Sequence, residues 1–435
     1  MFALLAMSLA HGGEIVDPDV FVQLLADDRK SRMGAYREIE RNWDPRYEAM
    51  VLETLRFVRD SDLSFRLITT LENHSAQRFG GDKDAWWEWL WATPEDLHPD
   101  YLAFKRQLYT EIDPRFHRYF RENPRTIRLD EVRWGGVKQD GIPPLREPVM
   151  IDASGAGYLQ ETDVVFGVAV EDDIRAYPKR ILAWHEMFID TLGGMPMAGV
   201  YCTLCGTVIL YETEVDGTNH QIGTSGFLYR SNKLMYDQQT QSLWSTLEGR
   251  PVVGALVGKG IELRRRSVVT TTWGEWRRRH PDTKVLSLET GYDRDYDEGV
   301  AYRSYFATDE LMFTVPKRDP RLKNKAEVLA LRANGVELAI SAAWLRKRPV
   351  YRDRVGEVSV VVLTDKSGAN RVYDDQGVVF SGYDGDVSVT SEDGRTWVLT
   401  ESALISGADS ISRFPANRSF WFAWYSAFPE TRLVW

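Results

Sequence analysis

The sequence predicts an α+β protein, in which an N-terminal α-helical domain over residues 1–125 precedes a β-rich α+β domain over residues 126–435. Three observations indicate this division. Apolar residues recur every three or four positions as far as about residue 113, which is typical of amphipathic helices. β-Branched runs bounded by glycine and proline follow, and these are typical of strands. A tryptophan motif then occurs twice, which indicates an internal duplication within the second domain.

The first domain is predicted to be a series of short helices. Asp17-Pro18 and Asp44-Pro45 are typical helix starts, because aspartate caps free backbone N–H groups and proline suits the first helical turn. Short helices in antiparallel pairs resemble HEAT-type α-hairpins, and such an array is expected to recruit a protein partner. The apolar stripes are Val20, Phe21, Leu24 and Leu25; Tyr47, Val51, Leu55 and Val58; and Leu63, Leu67, Ile68 and Leu71.

Extended segments are predicted after the domain boundary near residue 125. The stretch from Trp134 to Pro144 is dense in glycine and proline and is predicted to be a loop. Residues 163–170 form a β-branched run that predicts a strand. Residues 198–202 and 206–212 predict two further strands, with Cys202 and Cys205 at the turn between them.

The duplicated motif has the form W-x-x-W-x4-P-acid-T-base. It begins at Trp273 and again at Trp421, and each copy ends in an apolar run. A β-rich segment lies upstream of each copy. The predicted repeat units cover residues of about 195–290 and about 350–435, and the second unit lacks cysteine.

Charge and cysteine content exclude some classes of protein. The 435 residues carry a formal net charge of −10 without a long run of one sign, which argues against a nucleic-acid partner. Two cysteines cannot form a disulfide framework, and no segment is long enough to be a transmembrane helix. The apolar stretch from Met1 to Ala10 ends like the cleavage site of an export signal. We therefore expect a periplasmic or exported protein if the true start lies upstream, and a cytoplasmic protein otherwise.

The two cysteines are predicted to form half of a mononuclear metal site. The spacing Cys202-x-x-Cys205-Gly lets both sulfurs converge on one ion, since glycine permits the tight turn that follows. His185 and Met235 are the nearest candidates for the remaining ligands. Thiolate, imidazole and thioether ligands are soft, so copper is favoured, with zinc or no metal as alternatives. The residues expected to contact these ligands and orient them are Glu186, Asp237, Ser225 and Tyr236.

The same residues allow other interpretations. The pair could carry out thiol–disulfide exchange, although the residues after Cys205 resemble a strand rather than the helix whose dipole activates such a thiol. It could also be a structural disulfide in an exported domain. A third alternative is hydrolysis, with Ser225 or Ser231 as the nucleophile and His185 as the base. That alternative lacks the full G-x-S-x-G turn of serine hydrolases.

Several motifs of the second domain resemble a bacterial family of unknown function, DUF3179. They are Asp140-Gly-Ile-Pro143, Pro178-Lys-Arg-Ile-Leu-Ala-Trp-His-Glu, Tyr201-Cys-Thr-Leu-Cys-Gly-Thr, Ser225-Gly-Phe-Leu-Tyr-Arg-Ser-Asn-Lys-Leu-Met-Tyr-Asp and Ser242-Leu-Trp-Ser245. The resemblance covers about residues 130–435. It implies that His185, Cys202, Cys205, Met235 and Asp237 lie in signature motifs, and it implies no established reaction. Many members resemble exported or lipid-anchored proteins, and Thr203 stands where they usually have proline.

Taken together, these patterns predict a metal-binding protein, with copper the leading ion and a role in redox chemistry. The substrate and the reaction are open, so the sequence does not decide whether the protein is an enzyme. The main alternative is a non-catalytic interaction protein, in which a Cys202–Cys205 disulfide braces the second domain and the helical domain binds a protein partner.

Overall fold

The computed structural model describes residues 16–121 and 124–435, which divide into two compact units. The first unit comprises residues 16–121 and 128–130, and the second comprises residues 124–127 and 131–435. Helices occupy residues 18–118, and β-sheets dominate the second unit, so the α+β class is confirmed. The domain limits of 1–125 and 126–435 stay predictions. The segment Met1 to Ala10 lies outside the described residues.

Aspartate side chains mark the starts of the helices in the first unit. Asp28, Asp60 and Asp82 each accept a hydrogen bond from a backbone N–H in the first turn of the following helix. These bonds satisfy donors that a helix start leaves free. The α-helices are α1 (Pro18–Gln23), α2 (Arg29–Arg41), α3 (Glu48–Thr54), α4 (Ser61–Ser75), α5 (Lys83–Ala92) and α6 (Tyr101–Thr110), and 3-10 helices occupy Pro45–Tyr47 and Pro114–Arg118.

The core of the first unit contains residues of all three predicted stripes and a buried ion pair. Leu63, Leu67 and Leu71 are buried on α4. Lys105 on α6 pairs with Glu53 on α3, and both side chains are almost completely buried. Such a pair is tolerated in an apolar core only when its polar atoms have partners, and other hydrogen bonds complete this network. None of the helices in the described parts of the chain is long and apolar enough to cross a membrane.

The second unit is built from short strands and five further α-helices. Its strands as far as residue 286 are β1 (Val132–Trp134), β2 (Leu145–Arg146), β3 (Met150–Asp152), β4 (Val164–Val170), β5 (Asp173–Pro178), β6 (Met187–Leu192), β7 (Met195–Cys202), β8 (Thr207–Glu212), β9 (Glu214–Val215), β10 (Thr218–Asn219), β11 (Ile222–Tyr229), β12 (Asn232–Asp237), β13 (Leu243–Ser245), β14 (Arg250–Val253), β15 (Arg265–Arg266), β16 (Val269–Thr272) and β17 (Lys284–Leu286).

The later strands are β18 (Glu327–Ala333), β19 (Val336–Ser341), β20 (Val350–Val355), β21 (Val358–Thr364), β22 (Asn370–Asp374), β23 (Phe380–Tyr383), β24 (Ser388–Ser391), β25 (Thr396–Leu399), β26 (Ala403–Ser406), β27 (Asp409–Ser412), β28 (Ala416–Phe420) and β29 (Arg432–Val434). The helices are α7 (Lys179–His185), α8 (Trp273–Arg279), α9 (Arg303–Phe306), α10 (Ala342–Leu345) and α11 (Trp421–Ala427), and a 3-10 helix occupies Ala153–Gly155. Strand orders are β1-β11-β12-β13-β14, β10-β9, β15-β8-β7-β6-β2, β16-β4-β5-β17-β3, β28-β18-β19-β29, β20-β21-β22 and β23-β24-β25-β26-β27.

Two of these sheets have the same connectivity. In one, the β4–β5 hairpin leads into α7, and β16, α8 and β17 return to the sheet after a long excursion. In the other, the β18–β19 hairpin leads into α10, and β28, α11 and β29 return after a second excursion. β16 and β28 pair antiparallel with the first strand of their hairpins, whereas β17 and β29 pair parallel with the second. Both hairpins lie outside the predicted repeat limits of about 195–290 and 350–435.

The tryptophan helices of these two sheets make matching contacts. Trp276 Nε1 donates to Thr283 Oγ1 at 3.0 Å, and Trp424 Nε1 donates to Thr431 Oγ1 at 2.9 Å. Both rings are fully buried. A Cβ atom at Gly167 would lie only 2.3 Å from the Trp276 ring, so the ring packs directly on the backbone of β4.

We expect Trp276→Ala to lower the free energy of unfolding by about 3–5 kcal/mol, because it leaves a large cavity and removes the hydrogen bond to Thr283. Trp424→Ala should have a similar effect. The control is Trp435→Ala, whose ring is 60% exposed. Urea unfolding followed by far-UV circular dichroism measures the difference. Equal midpoints for Trp276→Ala and Trp435→Ala would show that the Trp276 ring does not support the fold.

Candidate functional site

Cys202 and Cys205 lie at the tight connection between β7 and β8. Cys202 is the last residue of β7, and its register partner Thr207 is the first residue of β8. The Cys205 N–H donates to the Cys202 carbonyl at 3.1 Å, and the two Sγ atoms are at disulfide-bonding distance. Gly206 has a φ of +59°, and a Cβ there would lie 2.7 Å from the Phe420 ring. Only glycine fits this turn without strain or displacement of Phe420.

Apolar and aromatic side chains surround the sulfur pair. Cys205 is fully buried and Cys202 is 3% exposed. The Tyr305 hydroxyl donates to the Leu204 carbonyl at 2.7 Å, which holds part of this cover against the turn. The covering residues are Leu204, Tyr305, Val315, Phe420, Phe422 and Ala423, with Leu228, Tyr302, Phe306, Leu311 and Phe313 at the margin. The sulfurs are therefore shielded from water.

A strained hairpin turn brings a carbonyl oxygen to the sulfur of Cys205. Arg230 and Ser231 connect β11 to β12, and both have positive φ, at 49° and 64°. Two-residue hairpin turns of this kind normally use Asn-Gly, because ordinary side chains are disfavoured there. Here contacts hold the turn: Arg230 pairs with Glu131, and Asn232 Nδ2 donates to the Ala423 carbonyl at 3.1 Å. The Ser231 carbonyl oxygen lies 3.1 Å from Cys205 Sγ.

This environment does not activate a thiolate. A carbonyl oxygen only accepts hydrogen bonds, so it favours a thiol or a disulfide at Cys205 over a negatively charged sulfur. The chain enters strand β8 after the turn, so Cys205 does not begin a helix as the reactive cysteines of thioredoxin-like motifs do. Metal ligation and nucleophilic exchange both need a thiolate, and neither finds support in these contacts.

His185 ends α7 with both ring nitrogens occupied. Nδ1 lies 2.9 Å from the Pro143 carbonyl and Nε2 lies 2.6 Å from the Tyr296 hydroxyl. Because the carbonyl only accepts, Nδ1 carries the proton, and the neutral ring accepts from Tyr296 at Nε2. Thr290 Oγ1 lies 2.6 Å from the same hydroxyl and completes the chain. Burial lowers the pKa of His185, the nearby Arg294 adds to this, and the Pro143 hydrogen bond opposes it.

Glu186 joins the end of α7 to β12 rather than orienting His185. Its backbone is left-handed, with a φ of 56°, and its carbonyl accepts from the Tyr201 N–H at 2.8 Å. Its carboxylate lies 2.7 Å from Lys233 Nζ, and both side chains are buried. Burial lowers the pKa of Lys233, and Glu186 opposes that change. Breaking this pair would leave a buried charge without a partner.

The remaining predicted site residues stabilise the sheet that contains β11 and β12. Met235 is fully buried in a core cluster with Trp244. Asp237 lies 3.1 Å from His220 Nδ1 and caps the turn after β12. Ser225 Oγ donates to the backbone of β12 at 2.6 Å, so its hydroxyl is already used.

Tyr236 connects β12 to the Asp140-Gly-Ile-Pro motif. Its hydroxyl donates to the Asp140 carboxylate, which also accepts from the Thr224 N–H at 3.0 Å. Burial and the hydrogen bond to Asp140 raise the pKa of Tyr236 to about 12. Pro143 of the same motif accepts from His185, so three of the sequence motifs meet through this loop.

The structure thus brings Cys202 and Cys205 together, whereas the side chains of His185 and Met235 contact other residues. Across residues 16–121 and 124–435, no three or more His, Cys, Asp or Glu side chains form a group that could hold a metal ion. The copper and zinc ligand sets stay predictions.

A cavity beside the cysteine turn was not predicted. It has a volume of about 130 Å³, and Tyr201 and Gly206 form part of its wall. Lys179, Arg346 and Arg418 also line it. These cations are far apart in sequence and belong to no common motif, so only the three-dimensional fold reveals them.

Comparison with known proteins gives a family without an assigned activity. A family model described as a protein of unknown function (DUF3179) matches residues 139–431, which is more than half of the chain. Neither the curated proteins nor the solved structures contain a match.

The buried neutral state of His185 predicts a specific loss of stability in acid. Its folded pKa is lowered, so its contribution is complete above the unfolded value of about 6.5 and is lost as the pH falls through the folded pKa. His185→Asn keeps a donor for Pro143 but cannot titrate. We therefore expect the free energy of unfolding, measured in urea at about pH 7.5 and about pH 5.5, to fall more in the wild type than in His185→Asn. An equal fall would contradict this role of His185.

Proposed function

The chain belongs to the DUF3179 family, and from this premise we propose that its family region is a non-catalytic interaction module braced by a Cys202–Cys205 disulfide. One observation carries the proposal. The two sulfurs lie at bonding distance beneath an apolar cover, and the Ser231 carbonyl oxygen faces Cys205. This environment suits a cross-link that stays closed.

The cross-link would stabilise a turn from which several contacts radiate. The Phe420 N–H donates to the Cys205 carbonyl at 2.8 Å, and Thr207 Oγ1 lies 2.8 Å from Ser419 Oγ. These contacts join the cysteine turn and the start of β8 to β28, which belongs to another sheet. A disulfide across this short loop reduces the freedom of the unfolded chain and favours the turn that these contacts require.

A copper or zinc ion at Cys202 and Cys205 is the rival proposal. The convergence of the two sulfurs supports it, because a metal would also need them side by side. It further requires both thiols to lose protons and His185 or Met235 to leave its present contacts. Thiol–disulfide exchange, the remaining alternative, requires the cover over Cys205 to open. The disulfide brace needs none of these changes.

We further propose that the second unit arose by internal duplication. Two features support this: the shared connectivity of the β4–β5 and β18–β19 sheets, and the matching Trp276–Thr283 and Trp424–Thr431 hydrogen bonds. Each copy would consist of a hairpin, a helix, an inserted β-region and a strand–helix–strand return. The cysteines lie in the first inserted region, which explains why the second copy has none.

For the first unit we propose a HEAT-like arrangement that binds a protein partner. Its succession of short helices supports this.

The brace is tested by purifying the protein without reductant or chelator and measuring its metal content and its thiols. We expect no stoichiometric metal and no free thiol. Cys202→Ala with Cys205→Ala should lower the free energy of unfolding by about 2 kcal/mol, as expected for a short closed loop, without changing the far-UV circular dichroism spectrum.

Cys205→Ala alone is the matched control. It should destabilise the protein as much as the double variant does, because losing either sulfur abolishes the cross-link. About one copper or zinc ion per chain, removed by the double variant, would establish the metal proposal instead.

A further inference from the structure

Three cationic side chains converge on the cavity beside the cysteine turn. Lys179 is the first residue of α7, Arg346 follows α10, and Arg418 lies on β28. We call these residues the cationic wall. α7 follows the β4–β5 hairpin, α10 follows the β18–β19 hairpin, and β28 belongs to the sheet of the second hairpin. The cavity therefore lies where the two sheets of shared connectivity meet.

Arg418 carries its charge inside the protein. It is 6% exposed, with Nη1 3.0 Å from Glu327 Oε2 and Nη2 donating to the Gly368 carbonyl at 2.8 Å. Burial lowers the pKa of Arg418 and the neighbouring Arg346 adds to this effect, while Glu327 opposes it. One carboxylate therefore offsets the cost of burying this guanidinium.

Lys179 and Arg346 have no carboxylate partner in the part of the chain that the structure describes. Lys179 Nζ lies over the Phe306 ring, 4.6 Å from its centroid. Among the residues that the structure describes, no carboxylate lies at ion-pair distance from Lys179 or Arg346. Glu327 is the acidic residue that lines the cavity, and its side chain is 48% exposed. The cavity thus has an excess of positive charge, which favours an anion inside it.

Hydroxyl groups and aromatic rings complete the cavity. Thr270, Thr271 and Thr272 of β16 line part of the cavity. Phe166, Tyr201 and Phe420 form an aromatic wall, in which the Phe166 and Tyr201 ring centroids are 4.9 Å apart. The volume of about 130 Å³ is close to that of cavities that hold one benzene molecule.

We propose that this cavity binds a small organic anion, whose carboxylate or phosphate group contacts the cationic wall and whose flat apolar body packs on the aromatic wall. Neither Cys202 nor Cys205 lines the cavity, so the inference goes beyond the disulfide brace.

The test is isothermal titration of the full-length protein with benzoate, and with benzamide as its uncharged counterpart. Benzoate should bind at one site per chain, and benzamide should bind at least about tenfold more weakly, because it lacks the charge that the cationic wall attracts. Inorganic phosphate is the third probe, since it carries the charge without an apolar body.

Variants separate this site from general charge effects. Arg346→Met should weaken benzoate binding by at least about tenfold, whereas Lys347→Met, an equal charge change at the exposed neighbour outside the cavity, should leave it unchanged. Glu327→Gln should tighten benzoate binding, because it removes the negative charge from the lining of the cavity. A purely structural role for Glu327 would not produce tighter binding.

Three results would overturn the proposal. No saturable binding of either benzoate or phosphate would exclude an anion site, as would equal losses in Arg346→Met and Lys347→Met. Binding of phosphate without benzoate, with the same response to Arg346→Met, would overturn the organic ligand and leave a site for an inorganic anion.

Discussion

The hydrogen bond from the Phe420 N–H to the Cys205 carbonyl is the contact on which the second unit depends most. It joins the end of β28 to the turn before β8, and these strands belong to different sheets. The Phe420 ring lies over Gly206, covers the sulfur pair and lines the adjacent cavity. One strand end therefore determines the burial of the cysteines, the shape of the cavity and the choice of glycine at residue 206. A side chain at Gly206 would displace the ring and disturb all three.

Local patterns predicted much of the fold because the physical causes are local. Asp28 and Asp60 cap helices through bonds to backbone groups three residues away or nearer. The predicted strands on either side of the cysteine turn correspond to β7 and β8, since β7 is apolar and β8 is rich in β-branched residues, and both suit a buried sheet. The repeated Trp-x-x-Trp motif corresponds to α8 and α11, in which Trp276 and Trp424 are fully buried. The family was predicted correctly, because its sequence motifs are specific when they are taken together.

The candidate site was harder to predict, because its contacts join residues distant in sequence. His185 and Met235 flank the cysteines along the chain, which suggested a common site. Sequence proximity identifies neighbouring elements but not the face that a side chain occupies or its competing partners. His185 finds Pro143 and Tyr296, and Met235 enters the core beside Trp244. The cationic wall shows the same limit, because Lys179, Arg346 and Arg418 share no spacing that a pattern could detect.

The central claim is that the two sulfurs form a closed cross-link sealed inside the second unit. The rate at which dithiothreitol reduces the Cys202–Cys205 disulfide, measured by alkylation and mass spectrometry across a series of urea concentrations, tests this most directly. Exchange requires a thiolate to reach a sulfur atom, and the cover of Leu204, Tyr305 and Phe420 blocks that approach. We expect slow reduction in native protein and a steep rise in rate through the unfolding transition. Reduction as fast in native protein as in urea-unfolded chain would contradict the claim and show an exchange-competent disulfide.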